Sequence, residues 1–247
     1  MRLITCLTCV AVLHSSNGVA DVIHTPRPHV HVGFYEFAPY SYTDQSNRPQ
    51  GSILELTGRL LKRAGYEAEF RSYPSARLYH GLQDGSIHIW PGAPGKPDLV
   101  DYTLESQSLI GEIPLNLYFR SDMPAPTLPG DLKNQRLILL NGYTYWPPIS
   151  QWLNDSALNI QQLRTNTHAS ALAMLQHRRG DYLLDYQAPI ELERKRQKIT
   201  ELSYIELQRI PSKLVISKKA PAAEELRKAL DQAYEILRAE GADLSLR

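Results

Sequence analysis

Apolar and polar positions alternate along this chain in two registers, one of period two and one of helical spacing, and the two take turns. From Val30 the sequence runs V-H-V-G-F-Y-E-F-A-P-Y-S-Y, an apolar strand that opens into a loop of aromatics and proline. Gly51 to Ala64 then carries Ile53, Leu56, Leu60, Leu61 and Ala64 on one helical face, with Gly65 where a C-terminal cap belongs. Glu67 to Ser72 reads as a second strand, Ser75 to Asp84 as a short helix stopped by Gly85, and Ile87 to Trp90 as a third strand. The order is βαβαβ. Open α/β sheets bind small molecules outside the carboxyl ends of their strands, which places Glu36, Phe37 and Tyr40 at a candidate site.

From Tyr102 to Arg120 the chain becomes extended, and a proline-rich loop follows at Met123 to Gly130. The pattern then restarts. Arg136 to Leu140 reads as a strand, Asn141 to Tyr145 as a turn, Pro147 to Leu153 as a helix with proline in its first turn, Thr167 to Arg179 as a helix, and Asp181 to Asp185 as a strand. Ala188 to Lys198 is expected as a charged helix in which Arg194-Lys195-Arg196 beside Glu191 and Glu193 form a solvated face. Leu202 to Leu207 and Leu214 to Ser217 are expected as two strands parted by Pro211, and Pro221 opens a long amphipathic helix ending at Gly241. Two βα alternations linked by two extended crossings predict an α/β fold of two lobes joined by a two-strand hinge. Lobe I is expected at 21–110 plus 210–247, and lobe II at 111–209.

The residues before this pattern read as a targeting segment. Arg2 gives a positive start, Leu3 to Leu13 is an apolar run too short to span a bilayer, and Gly18-Val19-Ala20 offers a cleavage site. A signal peptide at 1–20 would direct export to the periplasm and leave 227 of the 247 residues. It would also remove Cys6 and Cys9, the chain's two cysteines, and with them any redox or zinc role for that pair. Leu7 and Thr8 before Cys9 poorly match a lipoprotein cleavage box, so a soluble, unlipidated protein is expected. Arg2 is the one charged residue in the segment, so 26 basic residues would face 26 acidic ones, a balance that gives no nucleic-acid footprint.

The motifs, taken in order, resemble the periplasmic solute-binding proteins of the polar amino-acid type that serve ABC transporters (extracellular solute-binding family 3, type II periplasmic-binding fold). G-F-Y-E-F-A-P-Y-S-Y and P-Q-G-S-I-L-E-L resemble the first strand, loop and glycine-led helix of that family, and L-Q-D-G-S-I-H-I-W-P-G the run into its cleft. D-L-K-N-Q-R-L-I-L-L-N-G-Y-T-Y, M-L-Q-H-R-R-G-D-Y-L-L-D and S-K-L-V-I-S-K-K-A-P are similar to the later landmarks, so the resemblance covers nearly the whole mature chain. It implies a clamp that closes around a small molecule, an ABC permease as partner, a monomer, and no cofactor. Phe37 then corresponds to a ring packed on the ligand, Thr144 to the turn that caps a ligand carboxylate, and Asp185 to the acid that pairs a ligand ammonium. The chain departs from the family at Ala93-Pro94-Gly95-Lys96, where Lys96 stands for the arginine that grips a carboxylate; lysine brings the charge without the planar fork. Arg77, in Pro-x-x-Arg near the start of the second helix, resembles an arginine that faces the cleft in a subgroup, where it would take over anion binding with help from the helix N-terminus; the sequence reads it equally as a solvated surface charge.

Tyrosine is plentiful, 14 in all, and Tyr35, Tyr40, Tyr42, Tyr143, Tyr145 and Trp146 fall in or beside the cleft loops, where rings can stack on a flat ligand or simply pack the sheet ends. His29 and His31 with His24 nearby suggest a metal site only weakly, because no carboxylate or thiol sits near them at ligand spacing. Motifs for a nucleophile elbow, a zinc protease or a P-loop are absent. Two alternatives to a transport protein share the same clamp. One is an exported enzyme resembling the cyclohexadienyl dehydratases, which would need a general acid such as Glu36, Glu55 or Asp185 with Arg77; the other is a ligand-presenting partner of a membrane sensor.

Overall fold

The computed structural model describes residues 27–246, so the expected signal peptide, Cys6, Cys9 and His24 lie outside the described residues. In chain order the elements are β1 (His29–Phe34), β2 (Tyr42–Thr43), β3 (Pro49–Gln50), α1 (Ser52–Arg63), β4 (Glu67–Ser72), α2 (Ser75–Asp84), β5 (Ile89–Gly92), β6 (Thr103–Glu105) and β7 (Gly111–Phe119). After a single 3-10 turn at Gly130–Leu132 come β8 (Arg136–Leu140), α3 (Ile149–Asn154), β9 (Gln161–Thr165), α4 (His168–Gln176), β10 (Tyr182–Tyr186), α5 (Gln187–Arg196), β11 (Ser203–Ser217) and α6 (Ala223–Ala239).

The strand order β4-β1-β5-β11-β7-β10-β8-β9 contains two parallel groups. β4 and β5 flank β1, while β10 and β9 flank β8, all parallel. Between them run the long antiparallel neighbours β11 and β7. The first ten residues of β11, Ser203 to Ser212, pair with β7, and its last residues pair with β5 and β6, so one strand serves both groups. The sequence predicts two strands here, parted by Pro211. A single strand forms because Pro211 falls where β11 has only β7 beside it, so the missing N–H breaks no second ladder.

Each parallel group carries its own core. Val30, Leu60, Leu61, Ile216 and Leu230 are buried between β1, α1, β11 and α6, and Leu117, Leu137 and Leu184 are buried among β7, β8 and β10. α1 faces inward through Ile53, Leu54, Leu56, Leu60 and Leu61, each such burial being worth about 2 kcal/mol over exposure. Gly51 starts that helix at φ 118°, and a Cβ there would stand 2.3 Å from the Tyr40 carbonyl oxygen, which instead accepts from Ile53 N–H at 3.0 Å. Glycine therefore lets the first loop dock on the helix N-terminus.

Three further features depart from the sequence reading. β9 was not foreseen, since Gln161–Thr165 is an edge strand with mostly exposed side chains and no apolar alternation. The charged helix α5 is not wholly a solvated face, because Glu193 lies one turn beyond the buried Ile190 and is itself buried. Carboxylates do stand beside the strand histidines: the parallel register sets Glu67 across from His29 and Glu69 across from His31, at 3.2 and 3.7 Å. Even so, no group of three or more metal-ligating side chains occurs among the described residues.

Candidate functional site

The loop after β1 is held closed by its own backbone. Phe37 N–H donates to Ser41 O at 2.6 Å, Ser41 N–H returns a bond to Phe37 O at 3.1 Å, and Ser41 Oγ–H donates to Tyr35 O at 3.0 Å. Glu36 ties this loop to its neighbours. Its carboxylate accepts from Thr43 N–H at 2.9 Å, Thr43 Oγ–H at 2.7 Å and Ser72 Oγ–H at 2.6 Å, joining the loop to β2 and β4. Phe37 and Tyr40 are thereby presented as a rigid aromatic pair, ring centroids 5.3 Å apart.

Opposite them stand residues from the ends of β8, α4 and β10. Thr167 caps α4, its Oγ accepting from Ser170 N–H at 3.1 Å, which puts His168 at the first helical position. His168 Nδ1 lies 2.8 Å from Asp185 Oδ2, and Asp185 Oδ1 accepts from Tyr186 N–H at 2.8 Å. Asp185 is fully buried. Burial raises its carboxyl above the usual carboxylate range, an effect opposed first by His168 and then by the Tyr186 amide. When Asp185 is ionised it can only accept, so Nδ1 then carries the proton between them, and Nε2 faces the Tyr143 hydroxyl at 3.3 Å. Burial, seconded by Asp185, pushes the Tyr143 phenol well above its ordinary range, so it stays a donor. The rings of Tyr143 and Tyr186 meet Phe37 edge-on at 6.2 and 5.1 Å, and His168 lies 6.3 Å from it.

Lys96 closes a third side. It leaves the loop after β5, where Gly95 N–H donates to Glu105 at 2.7 Å, and its Nζ reaches Thr144 Oγ at 2.6 Å while lying 4.5 Å from the Trp146 ring centroid. Burial lowers its ammonium from 10.5 to about 8, with Asp98 opposing the shift.

These walls enclose a cavity of about 580 Å³, within the range of small-molecule sites. Of the residues expected from sequence, Glu36, Phe37, Tyr40, Lys96 and Thr144 line it. Asp185 is not in the wall; it sits behind His168 with both oxygens engaged. Arg77 is not in the wall either: it is exposed on α2, 5.6 Å from the Tyr73 ring centroid. Tyr35, Tyr42, Tyr143 and Trp146 line the cavity, whereas Tyr145 is not in its wall and its hydroxyl is buried. Sequence reasoning missed His168, Tyr186 and Glu193. The one signal for His168 was the Thr167 cap, which marks it as the first residue of a helix that follows a strand.

The fold has many solved counterparts. An ancestral arginine-binding protein with bound arginine superposes with a TM-score of 0.71 at 17% identity, over 87% of this chain and 94% of that one. A structure from glutathione import through the cystine ABC importer of Streptococcus mutans gives 0.72 at 17%, over 87% and 91%. A histidine kinase sensor domain with similarity to periplasmic binding proteins gives 0.70 at 20%, over 87% and 92%. At these identities the likeness establishes the fold, a mixed α/β periplasmic-binding-protein-like clamp. No curated protein sequence matches the chain. The family model of the bacterial extracellular solute-binding proteins, family 3, matches residues 30–243, and the chain belongs to that family.

Proposed function

We propose that this protein is exported to the periplasm and there traps a small polar or anionic organic molecule, amino-acid-like in size, between two lobes for delivery to an ABC permease. The lobes would be 21–110 with 210–247, and 111–209, hinged on β7 and β11. One observation carries the reading. The cavity lies between the two parallel groups, and Lys96 crosses it to Thr144 and Trp146, so a ligand held there would touch both sides at once and favour the closed arrangement. The trap acts as a monomer and does no covalent chemistry.

A thermal-shift screen of the purified chain against amino acids, small carboxylates, amines and cyclic acids tests this, since a ligand bound only by the folded trap raises the melting temperature. A hit recovered unchanged supports the trap. A hit recovered chemically altered would replace it with the dehydratase-like enzyme, and no hit in any class would remove the basis for a solute-binding role. The resemblance to a kinase sensor domain makes a ligand-presenting or sensing role the second reading. Pull-down of a permease or of a sensor by the ligand-loaded protein separates the two.

A further inference from the structure

The trap reading leaves open which charges its ligand carries, and the state of the acids around the cavity bears on that. Two carboxylates line it, Glu36 and Glu193, and a third, Asp185, stands behind the wall. Glu36 accepts three hydrogen bonds from Thr43 and Ser72. Asp185 gives Oδ2 to His168 and Oδ1 to the Tyr186 amide, and His168 stands between it and the cavity. Glu193 pairs Oε1 with Arg196 at 3.0 Å, and its Oε2 is sealed away from solvent without a partner. The positive groups are placed differently. Lys96 Nζ has one hydroxyl acceptor and no ion pair among the described residues, and the N-termini of α2 and α4 reach the wall at Ser75 and at Thr167 to Ala169.

Resting on the trap reading, we propose that the cavity selects an organic carboxylate with an aromatic or cyclic body and discriminates against ligands that add an ammonium group, with His168 as the specificity-determining residue because it occupies Asp185. A carboxylate entering here meets Lys96 and two helix N-termini. A ligand ammonium would be desolvated beside Asp185 with both oxygens of that carboxylate already taken, and beside Glu36 with three of its acceptor sites turned to Thr43 and Ser72. The edge-to-face packing of Phe37, Tyr143 and Tyr186 has the rings filling one another's space, so they line the cavity as an apolar wall for a flat body.

Calorimetry at neutral pH on matched pairs tests this: phenylpropionate against L-phenylalanine, glutarate against L-glutamate, guanidinopentanoate against L-arginine, with choline as a cation probe. The acid of the best-binding pair should bind at least about tenfold tighter than its amino acid, about 1.4 kcal/mol. An amino acid or choline that binds as tightly as the acid, or tighter, overturns the proposal and leaves the trap standing. Silence from every compound here and in the broad screen removes the trap, and the proposal with it.

His168→Ala should expose Asp185 and shift the acid-over-amino-acid ratio at least about tenfold toward the amino acid, a reversal that mere structural damage does not produce. Asp185→Asn should keep the wild-type preference, and combining the two changes should abolish the shift. If His168→Ala does not fold, Asp185→Asn decides alone: a tenfold loss of amino-acid affinity in it would show that Asp185 receives the ligand's ammonium and would sink the proposal.

Discussion

Lys96 and Asp185 are both charges taken out of water beside the same cavity, and the fold treats them in opposite ways. Asp185 is fully buried and completely partnered, with His168 on one oxygen and a backbone amide on the other. Lys96 is half-buried and under-partnered, with one hydroxyl, one aromatic face and no ion pair among the described residues, Asp98 acting on it only at a distance. A buried charge whose bonds are all satisfied internally serves the architecture, because breaking it leaves groups that nothing else can satisfy. A desolvated charge with donors to spare costs stability in the empty protein and regains it when a ligand arrives. The lesson is that the partner count of a charge, more than its place in a motif, separates a binding group from a positioning one.

The largest test is Asp185→Ala. It strands the His168 Nδ1–H and the Tyr186 amide, and should lower the unfolding free energy by about 3 kcal/mol, read by urea denaturation. A loss below about 1 kcal/mol would mean that Asp185 is not the structural partner drawn here. Next comes Lys96→Met, which keeps an apolar stem on Trp146 and removes the charge. Affinity for a carboxylate ligand should fall by tenfold or more, about 1.4 kcal/mol, while stability should not fall at all. Equal losses of both would erase the distinction between the two residues.

Glu36 lies between these extremes, a cavity-lining acid spent on tying a loop. Glu36→Ala frees Thr43 and Ser72 and should cost about 1 kcal/mol in stability, with a smaller loss of affinity arising from the loosened Phe37 and Tyr40. The pH response of Lys96 is smaller and has a definite sign. Its folded value, about 8, lies below the ordinary 10.5, so between these two the unfolded chain holds more protons and stability rises with pH. Below about pH 8 both states are protonated and the penalty is constant. Relative to Lys96→Met, the wild-type chain should therefore gain about 1 kcal/mol as pH climbs through that window, solvent screening of a half-buried group included. A flat difference would mean that burial does not press on the ammonium.

Most of the fold could be read in the sequence wherever an element has one face in the core. α1, α2 and β8 were placed almost to the residue because Leu and Ile recur there at the spacing of the element and glycines end the helices, and β4 because Ala68 and Phe70 alternate with charged residues and form a half-buried face. β9 escaped because an exposed edge strand has no buried face to announce it, and β11 was split because proline reads as a break until its single-sided pairing is known. The cavity-lining part of the site was legible at Phe37, Tyr40, Lys96 and Thr144, which sit on loops that follow recognisable strands. The pairing of Asp185 was not: His168 is 17 residues away, on an element whose packing against β10 only the fold specifies.

Arg77 makes the last and smallest test, since the sequence reads it equally as a cleft residue and as a surface charge. On α2 it is exposed, contacts the Tyr73 ring, makes no ion pair among the described residues, and does not reach the cavity wall. Arg77→Ala should accordingly change stability by less than about 0.5 kcal/mol and leave carboxylate affinity within about twofold of wild type. Salt gives an independent check. An exposed charge acting at a distance is screened beyond roughly 8 Å at physiological ionic strength, so any residual effect of the substitution should vanish as salt is raised, whereas that of Lys96→Met should persist. A large, salt-resistant loss in Arg77→Ala would mean that α2 swings its arginine into the cleft when ligand binds, and that the anion is shared between two lobe-I cations instead of being held by Lys96.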